Sequence, residues 1–445
     1  MSDLFVIGAS GTKAYRTAMA AISENIANAS TAGYARRSVT TVESGSSTAT
    51  MATYIARANF GGTQVSGVNR ASDPYLDATV RSTGMALGSA AARQRWLNDS
   101  ETALNDTSTG IGQLMTGMYQ NLEKLAASPT DTSLRVTSLD SISRIAQAFN
   151  QTAADLTSVS AGIKTEAQAS VNTINDALSS LANINNSLLR AQPGTSAYAQ
   201  LLDSRDAALQ TLSDNLNVTV NFGAHDSAEI SFGGQTLVSG NNAASLSLTA
   251  SDTDGTLSLS MADGTALSAP ANGTLGGLFS VADTVADRRA ELDTLAQQFV
   301  TDVNAWHAQG VTDAGTPGAA LLSGSSAATM AALITDPAQL ATKSADGTSN
   351  GNLLTVHSTL RGNGSVEQNW TSLIATHANL MSATKAEYET ANSRNDQAVA
   401  AREAVSGVDL DMEAADLLRI QQAYSASAKI LQVAKDTIDS ILQIM

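Results

Sequence analysis

From Leu410 to the end of the chain an apolar residue recurs at every seventh position: Leu410, Leu417, Tyr424, Leu431, Ile438 and Met445. A second row, Ile420, Ser427, Ala434 and Ile441, is offset by three. Together they form the seam of a helix that buries one side against another helix. The opposite end carries a matching pattern, with Phe5, Thr12, Met19 and Ile26 in one row and Gly8, Tyr15, Ile22 and Ala29 three places on. Neither stripe has a partner nearby in sequence, and one stripe returns less free energy than ordering its helix costs. Each terminal helix therefore needs the other, or a neighbouring copy. The small residues Gly8, Ala9, Ser10, Gly11, Ala14, Ala18 and Ala21 beside the first seam point to close helix packing.

The interior is read in the same way. A turn at Asn28 to Gly33 ends the first helix, and extended segments follow between Ser38 and Val68, including Thr53 to Ile55 and Gln64 to Val68. Asp73-Pro74 starts a helix expected to run to about Ser128, where Pro129 breaks it. In the next, Ile142, Phe149, Leu156 and Ile163 repeat at seven, and Val171, Ile174, Leu178, Leu181 and Leu188 continue after a shift of register. Long helices with sliding heptads indicate an elongated antiparallel bundle.

Between Val218 and Leu267 the period falls to two, which marks β structure. Helix returns near Leu275, with Val285, Leu292, Phe299 and Trp306 at seven-residue spacing. Residues 310–352 read as loops with short elements, and a helix from Val366 to about Val405 leads to the terminal seam. The expected fold is mainly α with a β insert: an elongated rod of long helices whose N- and C-terminal coiled-coil helices pair. Three parts are expected, a terminal helical domain of 1–35 with 407–445, an elongated bundle of 36–216 with 275–406, and a β-rich insert of 217–274.

Composition excludes several functions. Aromatics make up 4% and charged residues 15%, favouring Ala-rich helices over a bulky enzyme core. With no cysteine there is no disulfide or thiolate site. A net charge of −16 disfavours nucleic acid and anionic membranes. There is neither a signal-peptide pattern in the first 30 residues nor an apolar stretch long enough to span a bilayer. The expected localisation is the cytosol or a specialised export route.

No catalytic constellation or cofactor motif is found. His225, His307, His357 and His377 are scattered, and read as structural or exposed residues. Asp409, Asp411 and Glu413 resemble a hard-cation site, but carboxylates opening a helix more simply accept its free N–H groups and oppose its positive end. No metal and no cofactor are expected.

Two segments are similar to a known family. Asn25-Ile26-Ala27-Asn28 followed by Thr31-Ala32-Gly33-Tyr34-Ala35-Arg36 resembles the N-terminal motif of flagellar rod, hook and hook-associated proteins. Tyr34, where rod and hook proteins commonly have phenylalanine, resembles the hook-associated members. Ser406-Gly407-Val408-Asp409-Leu410-Asp411 with Gln421-Gln422-Ala423-Tyr424 is similar to the C-terminal motif of the same members, and Leu202-Asp203-Ser204-Arg205-Asp206 and Gly273-Thr274-Leu275-Gly276-Gly277-Leu278 to interior ones. Ala32, Arg37 and Met412 depart from the residues frequent there. The chain is also short for the family, as if a variable outer domain near 310–352 were missing or reduced.

The resemblance implies a non-enzymatic structural subunit at the hook–filament junction, exported unfolded through the flagellar type III route. It would assemble as a ring of copies. Implied partners are the hook protein, the second junction protein, the filament cap during assembly and an export chaperone on the C-terminal helix, with no nucleic acid and no membrane. The implied assembly surface comprises Phe5, Gly8, Tyr15, Met19, Ile22, Ile26, Leu410, Leu417, Ile420, Tyr424, Leu431, Ala434, Ile438 and Ile441. Alternatives are another axial flagellar protein, a coiled-coil scaffold or adhesin, and an enzyme carried on the β insert, which offers only His225, Asp226 and Glu229 near one another.

Overall fold

The computed structural model describes residues 2–31, 33–44, 61–104 and 106–444. Thr53 to Ile55, Ala32 and Met445, which figure in the sequence patterns, lie outside the described residues. The chain is mainly α. Its long helices are α1 (Ser2–Asn28), α2 (Pro74–Ala103), α3 (Ile111–Ala127), α4 (Thr132–Leu188), α5 (Ser196–Asn215) and α6 (Gly273–Gln309). Two short helices, α7 (Gly351–Leu354) and α8 (Val356–Leu360), precede α9 (Val366–Ser406) and α10 (Leu410–Ile444). No described helix is long and apolar enough to cross a membrane.

The residues divide into two compact units. The first comprises Met1–Met85, Thr173–Ser245 and Asn392–Met445; the second comprises Ala86–Asn172 and Leu246–Ala391.

In the first unit, α1 packs on α10, and the antiparallel strands β1 (Arg37–Glu43) and β2 (Thr63–Arg70) pack beside α1. The close approaches fix the helix pairing as antiparallel: Gly8 lies against Leu431, Gly11 against Ser427, and Asn25 bonds Glu413. A four-stranded antiparallel sheet follows in the order β3 (Thr219–Phe222), β4 (Ala228–Phe232), β5 (Gln235–Ser239) and β6 (Asn242–Ala243). Asn185 of α4, fully buried, ties this sheet down by donating to the carbonyls of Ala228 and Gly240 and accepting from the Ala228 N–H. His225 and Asp226 in the β3–β4 turn are both left-handed, at φ 55° and 57°. Their strain is held by Tyr198, whose hydroxyl donates to Asp226, and by Arg205, which donates to the Asp226 carbonyl.

The second unit holds the larger core. The heptad positions of α4 in this unit, Ile142, Phe149, Leu156 and Ile163, are all buried, as are Val285, Leu292, Phe299 and Trp306 of α6. Strands β7 (Leu246–Ala250) and β8 (Leu257–Met261) form a hairpin here. The β structure expected as a single insert over 217–274 is thus divided between the units. Arg289 of α6 donates to the Asp254 carbonyl, and Gly255 approaches Ser160 of α4 so closely that a Cβ would stand 2.1 Å from its hydroxyl. Those contacts hold the second hairpin to α4 and α6.

The continuous helix expected from Pro74 to about Ser128 is interrupted between α2 and α3. Asp106 accepts from the Gly112 N–H, at 3.1 Å, and from the Trp370 indole, at 3.0 Å. A carboxylate that satisfies the first turn of α3 stabilises a new helix start over a continuation.

Residues 310–352 are pinned by hydrogen bonds to α6. Trp306 donates to the Asn352 carbonyl, and the paired β9 (Leu322–Ser323) and β10 (Ala331–Ala332) lie in this region. His307 is wholly buried, with Nδ1 bonded to the Ala319 carbonyl at 2.6 Å and Nε2 accepting from the Ala341 N–H at 2.9 Å. Only the neutral ring makes both bonds. Burial lowers the pKa of His307, and of the equally enclosed His377, below the usual 6.5. The unfolded chain then takes up protons that the folded chain does not. The stability these residues contribute is present above about pH 6.5 and lost as pH falls below it. Calorimetry from about pH 7.5 to about pH 5.5 is expected to show a falling melting temperature that flattens in a His307→Gln, His377→Gln double variant. An unchanged melting temperature over this range in the unsubstituted protein would refute it.

Candidate functional site

The junction of α1, α10 and the β1–β2 hairpin joins Asn25, Tyr34 and Arg36 of the motif residues with Arg37 and Glu413 in one polar clasp within the first unit. Asn25 is its centre and has no exposed surface. Its side-chain amide donates to the Arg37 carbonyl at 2.8 Å and to Glu413 Oε2 at 2.9 Å. Its oxygen accepts from the Arg37 N–H at 2.9 Å and from the Tyr34 hydroxyl at 2.8 Å. Four bonds exhaust what a carboxamide offers. Glu413, equally buried, receives Arg36 Nε on its other oxygen at 2.5 Å. The reading of Glu413 as a helix-end carboxylate is therefore corrected. Asp409 takes that role, accepting from the N–H groups of Asp411 and Met412.

A chain of alternating charges continues from the clasp. Arg37, 3% exposed at its side chain, pairs with Glu24 at 2.7 Å and Asp203 at 3.0 Å; Asp203 then pairs with Arg70 at 2.6 Å. Arg70 reaches Asp206, which also binds Arg205. Burial opposes the charge on Arg70, but the flanking Asp206 and Asp203 outweigh it and hold its pKa above the ordinary value. Tyr34 lies under the Arg37 guanidinium, and burial pushes its hydroxyl up to about 12, so it stays a donor to Asn25. Sequence reasoning missed Glu24, Arg37, Arg70, Asp203 and Asp206 as a group. The available signal was the Arg36-Arg37 pair, which a chain with so few basic residues places beside its motif.

The remaining motif residues shape the backbone around the clasp. Asn28 donates to the Glu24 carbonyl, and Gly33 adopts φ 77° just after the helix. The Ser406 carbonyl accepts from the Arg36 N–H at 2.8 Å, and a Cβ on Gly407 would stand 2.4 Å from the Glu403 carbonyl oxygen. Gly407 thus lets α9 end in a close turn before α10. Asp411, Gln421 and Gln422 are exposed. A cavity of about 970 Å³ opens beside the clasp, walled by Tyr34, Arg70, Asp77, Arg402 and Asp409 among others. Among the described residues no group of three or more His, Asp or Glu side chains is placed to hold a metal ion.

The seam residues divide into two sets. Gly8, Ile22 and Ala434 are buried, and Tyr15, Met19, Leu417, Ile420, Tyr424 and Leu431 are half-buried. Phe5, Ile26, Leu410, Ile438 and Ile441 stay exposed within the single chain. The helices approach between Gly8–Leu431 and Asn25–Glu413, so Ile438 and Ile441 lie past the last close contact. Small side chains make that approach possible. A Cβ on Gly8 would stand 2.8 Å from Leu431 Cγ, and one on Gly11 the same distance from the Ser427 hydroxyl.

Known proteins and families resemble the chain over most of its length. The family described as the flagellar hook-associated protein FlgK helical domain matches residues 97–322, just over half of the chain. The chain belongs to the FlgK family. A flagella basal body rod protein family matches residues 5–34 and the FlgEFG C-terminal family residues 403–444, the segments that meet at the clasp. Among FlgK relatives, flagellar hook-associated protein 1 of Bacillus subtilis is 24% identical, over 96% of this chain and 95% of its own length. The Salmonella typhimurium protein of the same name is 26% identical over 70% of this chain, which spans only 57% of that relative. The solved flagellar hook junction protein FlgK from Burkholderia pseudomallei aligns with a TM-score of 0.50 at 25% identity, over 55% of this chain and 46% of that one. As a FlgK-family member the chain is a structural component of the flagellum, associated with other axial proteins.

Proposed function

We propose that the chain is the hook–filament junction subunit, assembling as a ring of copies that caps the hook and carries the filament. The terminal helices, 1–35 with 407–445, would act as the assembly domain. The observation that carries this reading is the pairing of α1 with α10 through a buried clasp while apolar side chains remain outside it. Leu4, Phe5 and Val6 on α1, and Leu418, Val433, Ile438 and Leu442 on α10, are all exposed. Such a face supports burial against neighbouring copies, the hook protein below and the second junction protein above. During export, as an unfolded chain through the type III route, the same part of α10 would suit a chaperone, and the filament cap would contact the ring during growth.

The deciding experiment is removal of residues 431–445 in a motile strain whose own copy is deleted. Hooks should persist, filaments should be absent and flagellin monomers should accumulate in the medium. Normal filaments would end the reading.

A further inference from the structure

The clasp places one fully buried carboxylate on an otherwise apolar and small-residue seam. Between positions 413 and 434 the inward face of α10 presents Leu417, Ile420, Tyr424, Ser427, Leu431 and Ala434. Such a face would pair readily with many apolar helices, including a second copy of itself. Glu413 changes what such pairings cost. Its carboxylate is compensated only where Asn25 donates to one oxygen and Arg36 to the other. We propose that Glu413 and Asn25 are specificity residues, which direct α10 to α1 and reject pairing of α10 with a second α10.

The rejected pairings follow from position. In an antiparallel α10 pair with Ser427 facing its copy, Glu413, fourteen positions before, stands opposite Ile441, fourteen after. The carboxylate is then buried against a hydrocarbon. In a parallel pair Glu413 faces its own copy and two carboxylates meet. On α1 the reciprocal requirement holds, because Asn25 facing an apolar helix leaves its Nδ2 donor without Glu413. Arg36 is about a third exposed and keeps Asp416 within 3.6 Å, so replacing Glu413 does not bury a bare cation. A buried polar residue that fixes the partner of a seam at some expense of stability is an established device in helix pairing.

The absence of native cysteine makes the pairing directly readable. An ideal Cβ on Gly11 lies 3.3 Å from the Ser427 Cβ, close to disulfide geometry. The full chain carrying Gly11→Cys and Ser427→Cys is refolded under mild oxidation. Its products are the 11–427 bridge, within one chain or between copies, and the intermolecular 427–427 and 11–11 bridges, separated on a non-reducing gel and assigned by mass spectrometry. The 11–427 product should dominate. Adding Asn25→Leu and Glu413→Leu should raise the 427–427 share about tenfold with helical circular dichroism retained. Glu413→Gln, which keeps the shape and loses the charge, should give a smaller rise. An unchanged share in both backgrounds overturns the proposal, as does loss of the 11–427 bridge without gain of the 427–427 one. Should the leucine variant fail to fold, the Glu413→Gln background decides alone, with no rise counting against the proposal. The assay needs no flagellum, so its result stands apart from that of the truncation.

Discussion

Asn25→Ala should detach both terminal helices from the hairpin and cost about 3 to 5 kcal/mol in the first unit. The substitution removes a side chain whose four bonds are all made to the protein. It leaves Glu413 Oε2, the Arg37 N–H and the Arg37 carbonyl without their partner. Each such buried polar group carries about 1 to 3 kcal/mol of unrecovered desolvation. Tyr34, half-buried, loses its acceptor as well. Hydrogen exchange of the 10–25 and 413–434 backbone amides should accelerate together, because the two helices share this contact. Asn25→Asp is an instructive companion. It has nearly the same shape, yet it sets a second carboxylate beside Glu413 and loses the donor to the Arg37 carbonyl, so it should be worse at neutral pH. Acidification that protonates one of the two carboxyls should relieve it. Exchange rates in Asn25→Ala equal to those of the unsubstituted protein would show that the clasp contributes nothing.

Gly277→Val in the second unit should be more damaging to the fold as a whole. Gly277, on the buried face of α6, meets the backbone of α2 directly: a Cβ would stand 2.3 Å from the Ser89 carbonyl oxygen and 3.0 Å from its Cα. Neighbouring α2 residues are small and buried, Ala90 at 0% and Ala92 at 4% exposure, so the two helices are held at the distance that glycine allows. A side chain that meets backbone has no rotamer in which to escape, and the helices must separate or unwind. Overpacking of this kind costs about 1 to 3 kcal/mol where neighbours can shift, and more where they are main chain. The melting transition should fall by at least several degrees, and Gly277→Ala should fall less, because it adds only the first of the offending carbons. An unaltered transition in the valine variant would mean that the close approach is not structural.

The periodic core was legible in the sequence. Ile142, Phe149, Leu156 and Ile163 lie on one buried face because a helix with one apolar side has one way to turn it inward. The Gly276-Gly277 pair, visible as part of a motif, has its physical reason only in space: α2 passes there. Glu413 was not legible, because a carboxylate in the first turns of a helix looks the same whether it opposes the helix dipole or enters an ion pair. The difference is Arg36, 377 positions away. Arg37 reads as a departure from a family pattern and is buried between Glu24 and Asp203, the second of them 166 positions away. At 104–110 the run of Asp, Thr, Ser and Gly announced a break, yet the apolar pattern on either side suggested a single helix. The part of the seam covered within one chain was not legible for another reason. A heptad repeat specifies which side of a helix is apolar, and says nothing about how many of its turns one partner covers.

Asn25 and Glu413 are separated by 388 positions, and each is the other's hydrogen-bonding partner. A chain that stops before position 413 lacks the partner that Asn25 bonds, however well its interior folds. Such a fragment leaves the apolar stripe of α1 uncovered, the kind of surface that makes incomplete chains prone to aggregation.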